Sequence, residues 1–140
     1  MIAPTLRLNF EPIGPHHAPL FHGLNADPQV MRYFPAPLSA GKTDAFIARI
    51  VSHRARHGIG LEAAFLSATH TFAGFIGLLR AEYDDPFTPA VEVGWRFAPE
   101  FWGKGWHLKA HTRRWQVGLK NWGSARLCLS RHARTRLLFA

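Results

Sequence analysis

The sequence has only one cysteine, Cys128, and it lacks any long apolar run. A single cysteine excludes an internal disulfide and is typical of chains that work in a reducing compartment, so we expect a cytoplasmic protein. A membrane-spanning helix needs roughly 20 consecutive apolar residues, and no segment supplies them. The N-terminus also lacks the basic and then apolar segments of a secretory signal. The length predicts a single domain over residues 1–140.

Acidic residues are missing from the last part of the chain. All nine Asp and Glu residues lie at or before Glu100, whereas eight of the 17 Lys and Arg residues lie beyond Gly105. Residues 1–105 are therefore neutral, and the net charge of +8 belongs to residues 106–140. A basic protein invites a nucleic-acid or membrane interpretation. This distribution argues against it, so we expect no nucleic acid and no membrane as partner of the domain.

The first 58 residues predict one strand and then helices. Residues 5–12 alternate apolar and polar side chains, as a strand does, and residues 15–25 carry apolar residues on one helical face. Asp27 as N-cap and Pro28 at the first helical position predict a short helix. A longer helix should begin after Ser39 and end at Gly58. Its inward residues are expected to be Ala45, Phe46, Ile50 and Val51.

Three runs rich in Phe, Ile, Leu and Val follow, separated by turn residues. They are "LEAAFLSA", "TFAGFIGLLRAEY" and "AVEVGWRF". Short apolar runs bounded by turns are typical of consecutive antiparallel strands. The sequence thus predicts an α/β fold in which helices flank a largely antiparallel sheet.

A glycine-bearing turn follows the last of these strands. Free backbone N–H groups at a turn that opens a helix point in one direction, and the helix dipole adds positive potential. Gly103 and Gly105 would keep side chains away from a bound phosphate, and Lys104 adds a cation. An ordinary strand-to-helix turn remains the alternative on spacing alone. Trp102 beside the turn can stack on a ligand or pack as a plug.

The run "VEVGWRFAPEFWGKG" resembles the GNAT family of acetyl-CoA-dependent N-acetyltransferases, in particular the branch of ribosomal-protein N-terminal acetyltransferases. The resemblance covers residues 5–105, and it implies the GNAT fold with acetyl-CoA as co-substrate. The main chain of Trp95, Arg96 and Phe97 would pair with the pantetheine arm. Backbone N–H groups of Gly103, Lys104 and Gly105 would bind the pyrophosphate. The acceptor would be an amine, either a protein N-terminus or a small molecule.

Acetyl transfer needs a group that accepts a proton from the amine, and a carboxylate can do this directly or through water. Some GNAT enzymes place a glutamate on the fourth strand, so Glu92 is our candidate for the catalytic base. A solvated strand carboxylate is the open alternative. Many family members protonate the leaving thiol with a tyrosine beyond the glycine turn. Both tyrosines of this chain, Tyr33 and Tyr83, precede it, so no acid is assigned.

Two histidine pairs have helical i, i+4 spacing, His53 with His57 and His107 with His111. A zinc hydrolase would also need a glutamate beside the first histidine and a third ligand, and neither is present. We therefore expect surface histidines and no metal site. Nothing around Cys128 indicates a nucleophile.

The basic tail supports a second class of function. An apolar stripe flanked by basic residues predicts an amphipathic helix over residues 106–122, and such a helix can bind nucleic-acid phosphates or an anionic membrane. Its apolar positions are Leu108, Thr112, Trp115, Leu119 and Trp122. In that case the chain is a non-catalytic binding module.

The residues after Gly105 depart from the resembling family. There the turn continues into an Ala-rich helix with Glu residues, then a strand, an Asn-bearing loop and two closing strands. Degenerate codons permit a translation in another frame that resembles this helix, strand and loop. We interpret residues 106–140 as an out-of-frame tail in which Ala125 to Ser130 still mimics the strand. The closing strands should then be missing, and acetyl transfer by this chain weak or absent.

Overall fold

The computed structural model describes residue 5, residues 7–81, residues 90–103 and the backbone of residues 126–128. Its elements occur in the predicted order, with one strand and helices before three consecutive strands. They are β1 (Leu8–Pro12), a 3-10 helix (Pro15–His17), α1 (Ala18–Ala26), α2 (Ala40–His57), β2 (Leu61–Leu66), β3 (Phe72–Arg80), β4 (Ala90–Phe97), a second 3-10 helix (Pro99–Phe101) and β5 (Arg126–Cys128).

The strands form one sheet in the order β1-β2-β3-β4-β5. The pairs β1–β2, β2–β3 and β3–β4 are antiparallel, and β5 runs parallel to β4. The predicted α/β fold with a largely antiparallel sheet is therefore confirmed. The β5 strand lies where Ala125 to Ser130 was expected to mimic a strand. The predicted helix over residues 106–122 and the pair His107 and His111 lie outside the described residues.

Helices α1 and α2 cover one face of the sheet. Their apolar side chains, among them Phe21, Phe46 and Ile50, pack on residues such as Phe65 and Phe75 of β2 and β3. The opposite face carries two smaller clusters, centred on residues 8, 10, 76 and 97 and on residues 78, 91 and 93. Neither α1 nor α2, the helices of the described residues, is long and apolar enough to cross a membrane.

Both predicted ends of α2 are confirmed. The Ser39 hydroxyl accepts a hydrogen bond from the Lys42 N–H at 3.3 Å, and Gly58 closes the helix with φ of 69°, a left-handed conformation that favours glycine. The inward face was partly wrong. Phe46 and Ile50 are buried, but Ala45 and Val51 are exposed, and positions 43, 47 and 53 lie inward instead.

The short helix predicted after Asp27 is wrong, because residues 28–33 form successive turns. The cap itself exists, since Asp27 Oδ1 accepts the Gln29 N–H at 2.7 Å. Pro35 and Pro37 follow closely, and a residue before proline avoids the helical region. The helical turn begun at Asp27 therefore has no room to propagate.

A bulge in β3 brings β3 and β4 into close contact. The β2–β3 register shifts between Ala64 and Phe65, which is how an extra residue in one strand shows itself. Gly74 follows the shift with φ of 145°. A Cβ atom at Gly74 would lie 2.1 Å from the Arg96 carbonyl oxygen. Only glycine satisfies both the dihedral and the contact.

Candidate active site

The C-terminal half of β4 directs main-chain groups away from β3. The Ala98 N–H donates to the Ala73 C=O at 2.9 Å, which makes these two residues a hydrogen-bonded pair. Bonded and non-bonded pairs alternate along an antiparallel ladder. The N–H and C=O groups of Val93, Trp95 and Phe97 therefore point to the side of β4 that β5 occupies.

Among the described residues, β5 pairs with β4 only from Ala90 to Glu92. The outward groups of residues 93–97 lie beyond that pairing. An extended molecule that adds to this edge as a strand would bond to these same groups.

The main-chain groups of Arg96 point in the opposite direction from those of Trp95 and Phe97. Arg96 is the register partner of Phe75, so its main-chain N–H and C=O point towards β3. Of the three residues whose backbone was expected to bind the pantetheine arm, Trp95 and Phe97 direct their main-chain groups to the β5 side of β4, whereas Arg96 directs its groups to β3. The sequence could not predict which β4 residues direct their main-chain groups towards β3, because this direction depends on which residue pairs of the β3–β4 ladder are hydrogen-bonded.

The Arg96 side chain holds β4 against the helices. The residue is 6% exposed. Its guanidinium donates from Nη1 to the Asn25 Oδ1 and lies over the Phe34 ring, 4.4 Å from the ring centroid. Asn25 in turn donates to the Thr43 hydroxyl at 3.4 Å. Burial lowers the pKa of Arg96 to about 10, so the group remains a cation at neutral pH. Sequence reasoning missed this polar chain between α1, α2 and β4.

The turn after β4 is a compact 3-10 helix. The Phe101 N–H donates to the Ala98 C=O at 3.0 Å, and the Trp102 N–H donates to the Pro99 C=O at 3.1 Å. Gly103 follows with φ of 71°, and a Cβ there would meet no atom of the described residues within 4 Å. Glycine is therefore favoured by the backbone dihedral, as the sequence predicted for a phosphate-binding turn. Lys104 and Gly105 lie outside the described residues.

Trp102 is anchored to the strand by its indole. The Nε1 atom donates to the Phe97 C=O at 2.7 Å, although the side chain remains 44% exposed. The sequence offered stacking or packing for this residue, and the structure shows a hydrogen bond from side chain to main chain. One of the outward carbonyls of β4 is thus already bonded within the chain.

Glu92 is buried on the face that the helices cover. It alternates away from Val91 and Val93, as predicted, and pairs in register with Leu79 on β3 and Cys128 on β5. Only 7% of the residue is exposed, so the alternative of a solvated strand carboxylate is wrong. Glu92 is also the last residue of β4 that pairs with β5 among the described residues.

A second polar cluster lies at the start of α1, away from β4. Ligand atoms of Glu11, His16 and His17 lie within 4.8 Å of one another, close enough for a cation. However, His17 Nδ1 accepts the Gly14 N–H at 3.2 Å, which places the proton on Nε2, 3.4 Å from Glu11 Oε2. A protonated Nε2 cannot ligate a metal. His17 therefore braces the turn after β1 as a neutral donor.

Acid should destabilise the protein through His17. Burial lowers the pKa of His17 below 6.5, and His16 lowers it further, although Glu11 opposes both. Unfolded His17 then binds a proton that folded His17 does not, so the free energy of unfolding falls as pH drops below about 6.5 towards the lowered value. We expect His17→Gln to lose less stability than the wild type between about pH 7.5 and about pH 5 in urea unfolding.

The control for this experiment is His22→Gln, since His22 is a half-buried surface partner of Asp44. Its change in stability at about pH 7.5 gives the cost of replacing a partly exposed histidine by glutamine. The other groups facing His17, namely Glu11 and His16, are unchanged in both variants, and so is His70, which lies 3.6 Å from Glu11 Oε1. Equal losses in His17→Gln and the wild type would contradict the assignment.

His53 is not a surface histidine, contrary to our expectation. It is buried at 6% exposure. Its Nδ1 bonds to the Ile59 C=O at 3.1 Å, and its Nε2 accepts the Arg80 N–H at 3.1 Å. Both ring nitrogens are thus used in joining α2 to the sheet, and His53 cannot ligate a metal together with His57.

Comparison with known proteins places this geometry in a family. A family model described as an acetyltransferase (GNAT) domain matches residues 7–133. A putative GNAT-family acetyltransferase from Bordetella pertussis aligns with a TM-score of 0.75 at 15% identity, over 92% of this chain and 77% of that one.

Two further solved structures carry named activities. An acetyltransferase from Salmonella typhimurium, which modifies the N-terminal serine of a 50S ribosomal subunit protein, gives a TM-score of 0.64 at 15% identity, over 91% of this chain and 73% of that one. Spermidine N-acetyltransferase from Vibrio cholerae, solved with CoA and spermine, gives a TM-score of 0.66 at 16% identity, over 89% of this chain and 71% of that one.

The matches confirm the fold that the sequence resemblance implied, and the structures include a ribosomal-protein acetyltransferase, as expected. The family match extends past Gly105 to residue 133 and includes β5. Since it spans most of the chain, this protein belongs to the GNAT acetyltransferases.

Proposed function

We propose that this chain binds acetyl-CoA along β4 and transfers the acetyl group to a primary amine. The observation that carries the proposal is the continuity of two features. The outward main-chain groups of residues 93–97 lead directly into the turn at Gly103, whose φ is 71°. The first feature suits an extended amide-bearing arm, and the second suits a phosphate.

The length of β4 and the position of the glycine turn at its end support this placement of acetyl-CoA. A strand rises about 3.3 Å per residue, so the stretch from Glu92 to Phe97 spans roughly 16 Å. A pyrophosphate at Gly103, Lys104 and Gly105 would therefore direct the pantetheine arm back along β4. The outward groups of Trp95 bond the arm, and the thioester lies near Glu92.

Glu92 serves as the catalytic base. The neutral amine attacks the thioester carbonyl and a C–N bond forms, while the amine proton passes to the Glu92 carboxylate, directly or through water. The C–S bond then breaks, the sulfur leaves as a thiolate that takes a proton from water, and Glu92 returns its proton to water.

The acceptor belongs to the amines that related enzymes use. One relative modifies the N-terminal serine of a ribosomal protein, and another was solved with spermine. We therefore propose a protein N-terminus or a small-molecule amine as acceptor. We propose that residues 1–140 form the single domain that carries this activity. We also propose that the protein works in the cytoplasm.

The experiment measures acetyl-CoA turnover with a panel of amines, and the release of free thiol is the readout. The panel should contain peptides with different N-terminal residues, amino acids and polyamines. We expect amine-dependent thiol release with one class, at a low rate if residues 106–140 are out of frame. Binding of acetyl-CoA without thiol release for any amine would contradict the catalytic part of the proposal.

The charge of residues 106–140 favours one other candidate, a non-catalytic binding module for nucleic acid or an anionic membrane. Eight basic and no acidic residues lie there. Salt separates the two functions, because phosphate contacts weaken steeply with ionic strength. Acetyl-CoA held by backbone N–H groups should respond less.

A further inference from the structure

We propose that Trp102 is a positioning residue that fixes the distance between the cofactor-pairing edge of β4 and the phosphate-binding turn. The inference rests on the proposed function and deepens it. It concerns the indole N–H, which none of the roles described so far requires.

The turn is closed by three hydrogen bonds. Two are local to the 3-10 helix and join Phe101 to Ala98 and Trp102 to Pro99. These two bonds define the turn but do not tie it to the strand. The third, from Trp102 Nε1 to the Phe97 C=O at 2.7 Å, returns from the end of the turn to the last residue of β4. It therefore holds Gly103, the next residue, at a set position relative to the strand.

The same bond limits how an arm can pair with β4. The Phe97 carbonyl points to the side of β4 that β5 occupies, and it already accepts the indole N–H. Trp102 thus occupies one lone pair of the last outward carbonyl of β4 and sets the position of the turn at Gly103.

A fixed spacing matters because coenzyme A binds through two parts. When two linked groups bind two sites, the second binding step gains from the effective concentration set by the first, and the gain is lost if the sites move out of reach. Loss of the bond should therefore weaken the binding of a ligand that spans both sites.

The test compares two variants of similar size at this half-exposed position. Trp102→Phe keeps a ring and removes the donor, whereas Trp102→His keeps an aromatic N–H. Binding of CoA and of ADP is measured by titration calorimetry, since ADP carries the pyrophosphate without the arm. We expect Trp102→Phe to weaken CoA binding about 10-fold and ADP binding less than about 2-fold. Trp102→His should stay within about 3-fold of the wild type for CoA.

The outcomes separate this inference from the proposed function. If the wild type binds CoA and Trp102→Phe binds it equally, the inference is wrong while the function stands. Equal weakening of CoA and ADP also overturns it, since the turn alone was then damaged. If the wild type binds neither ligand, the proposed function falls. Exchange of the Trp102 indole proton, followed by NMR in the free protein, should be slow, and fast exchange would remove the hydrogen bond itself.

Discussion

Replacing Gly74 with alanine is expected to destabilise the protein by about 3 kcal/mol or more. A non-glycine residue at φ of 145° is strained, and its Cβ would lie 2.1 Å from the Arg96 carbonyl oxygen. Strain at an unfavourable dihedral costs about 1–3 kcal/mol, and overpacking typically costs about 1–3 kcal/mol more. Thermal unfolding should then occur roughly 10 °C lower than in the wild type.

The matched control is Gly41→Ala in the first turn of α2, where a new Cβ meets nothing within 4 Å. Alanine is the better helix former, so stability should be unchanged or increase by up to about 1 kcal/mol. A Gly74→Ala protein as stable as Gly41→Ala would show that the close approach of β3 and β4 does not exist.

Replacing Glu92 with glutamine should lower kcat/KM by about 10²- to 10⁴-fold near neutral pH, the usual contribution of a catalytic base. Glutamine has almost the same shape and fills the same buried site, but it cannot accept the amine proton. The loss of rate on the acid side of the pH profile reports protonation of the base in the free enzyme. That acid limb should disappear in Glu92→Gln.

Asp44→Asn provides the control, since Asp44 is an exposed carboxylate of α2 that pairs with His22 at 2.7 Å. Its pH profile should match that of the wild type. Circular dichroism must show that Glu92→Gln is folded, because Glu92 is buried. A folded Glu92→Gln protein with the wild-type profile would remove Glu92 from the mechanism.

The sequence predicted those parts of the fold that local chemistry decides. Ser39 and Gly58 bound α2 because a side-chain cap and a left-handed glycine act within a few residues. Asp27 shows the limit of this reasoning, because its cap forms but the prolines downstream prevent a helix. The three strands were recognisable because apolar runs between turn residues have few alternatives.

Contacts that depend on long-range pairing were not predictable from the sequence. His53 is buried because it bonds to the Arg80 N–H, 27 residues away along the chain. Arg96 was expected to bind the pantetheine arm with its backbone, but the parity of the β3–β4 ladder turns its backbone inward and its side chain towards Asn25. Glu92 is likewise buried on a strand whose register partners, Leu79 on β3 and Cys128 on β5, come from separate parts of the sequence.

The interpretation of residues 106–140 stays a prediction. The family match to residue 133 and the strand at Arg126–Cys128 extend past the resemblance over residues 5–105, and neither tests the reading frame. The nucleotide sequence decides whether that tail is out of frame. A gene in which no single-base insertion or deletion near codon 105 restores a longer frame would contradict the interpretation.

The central claim is that acetyl-CoA binds between β4 and the glycine turn, and its most direct test is titration calorimetry with wild type and Gly105→Glu. A glutamate at Gly105 places both a side chain and a negative charge where the pyrophosphate should lie. We predict measurable binding by the wild type and at least about a 10-fold loss in the variant, equivalent to one lost hydrogen bond or more. Equal affinity in the two proteins would contradict the site.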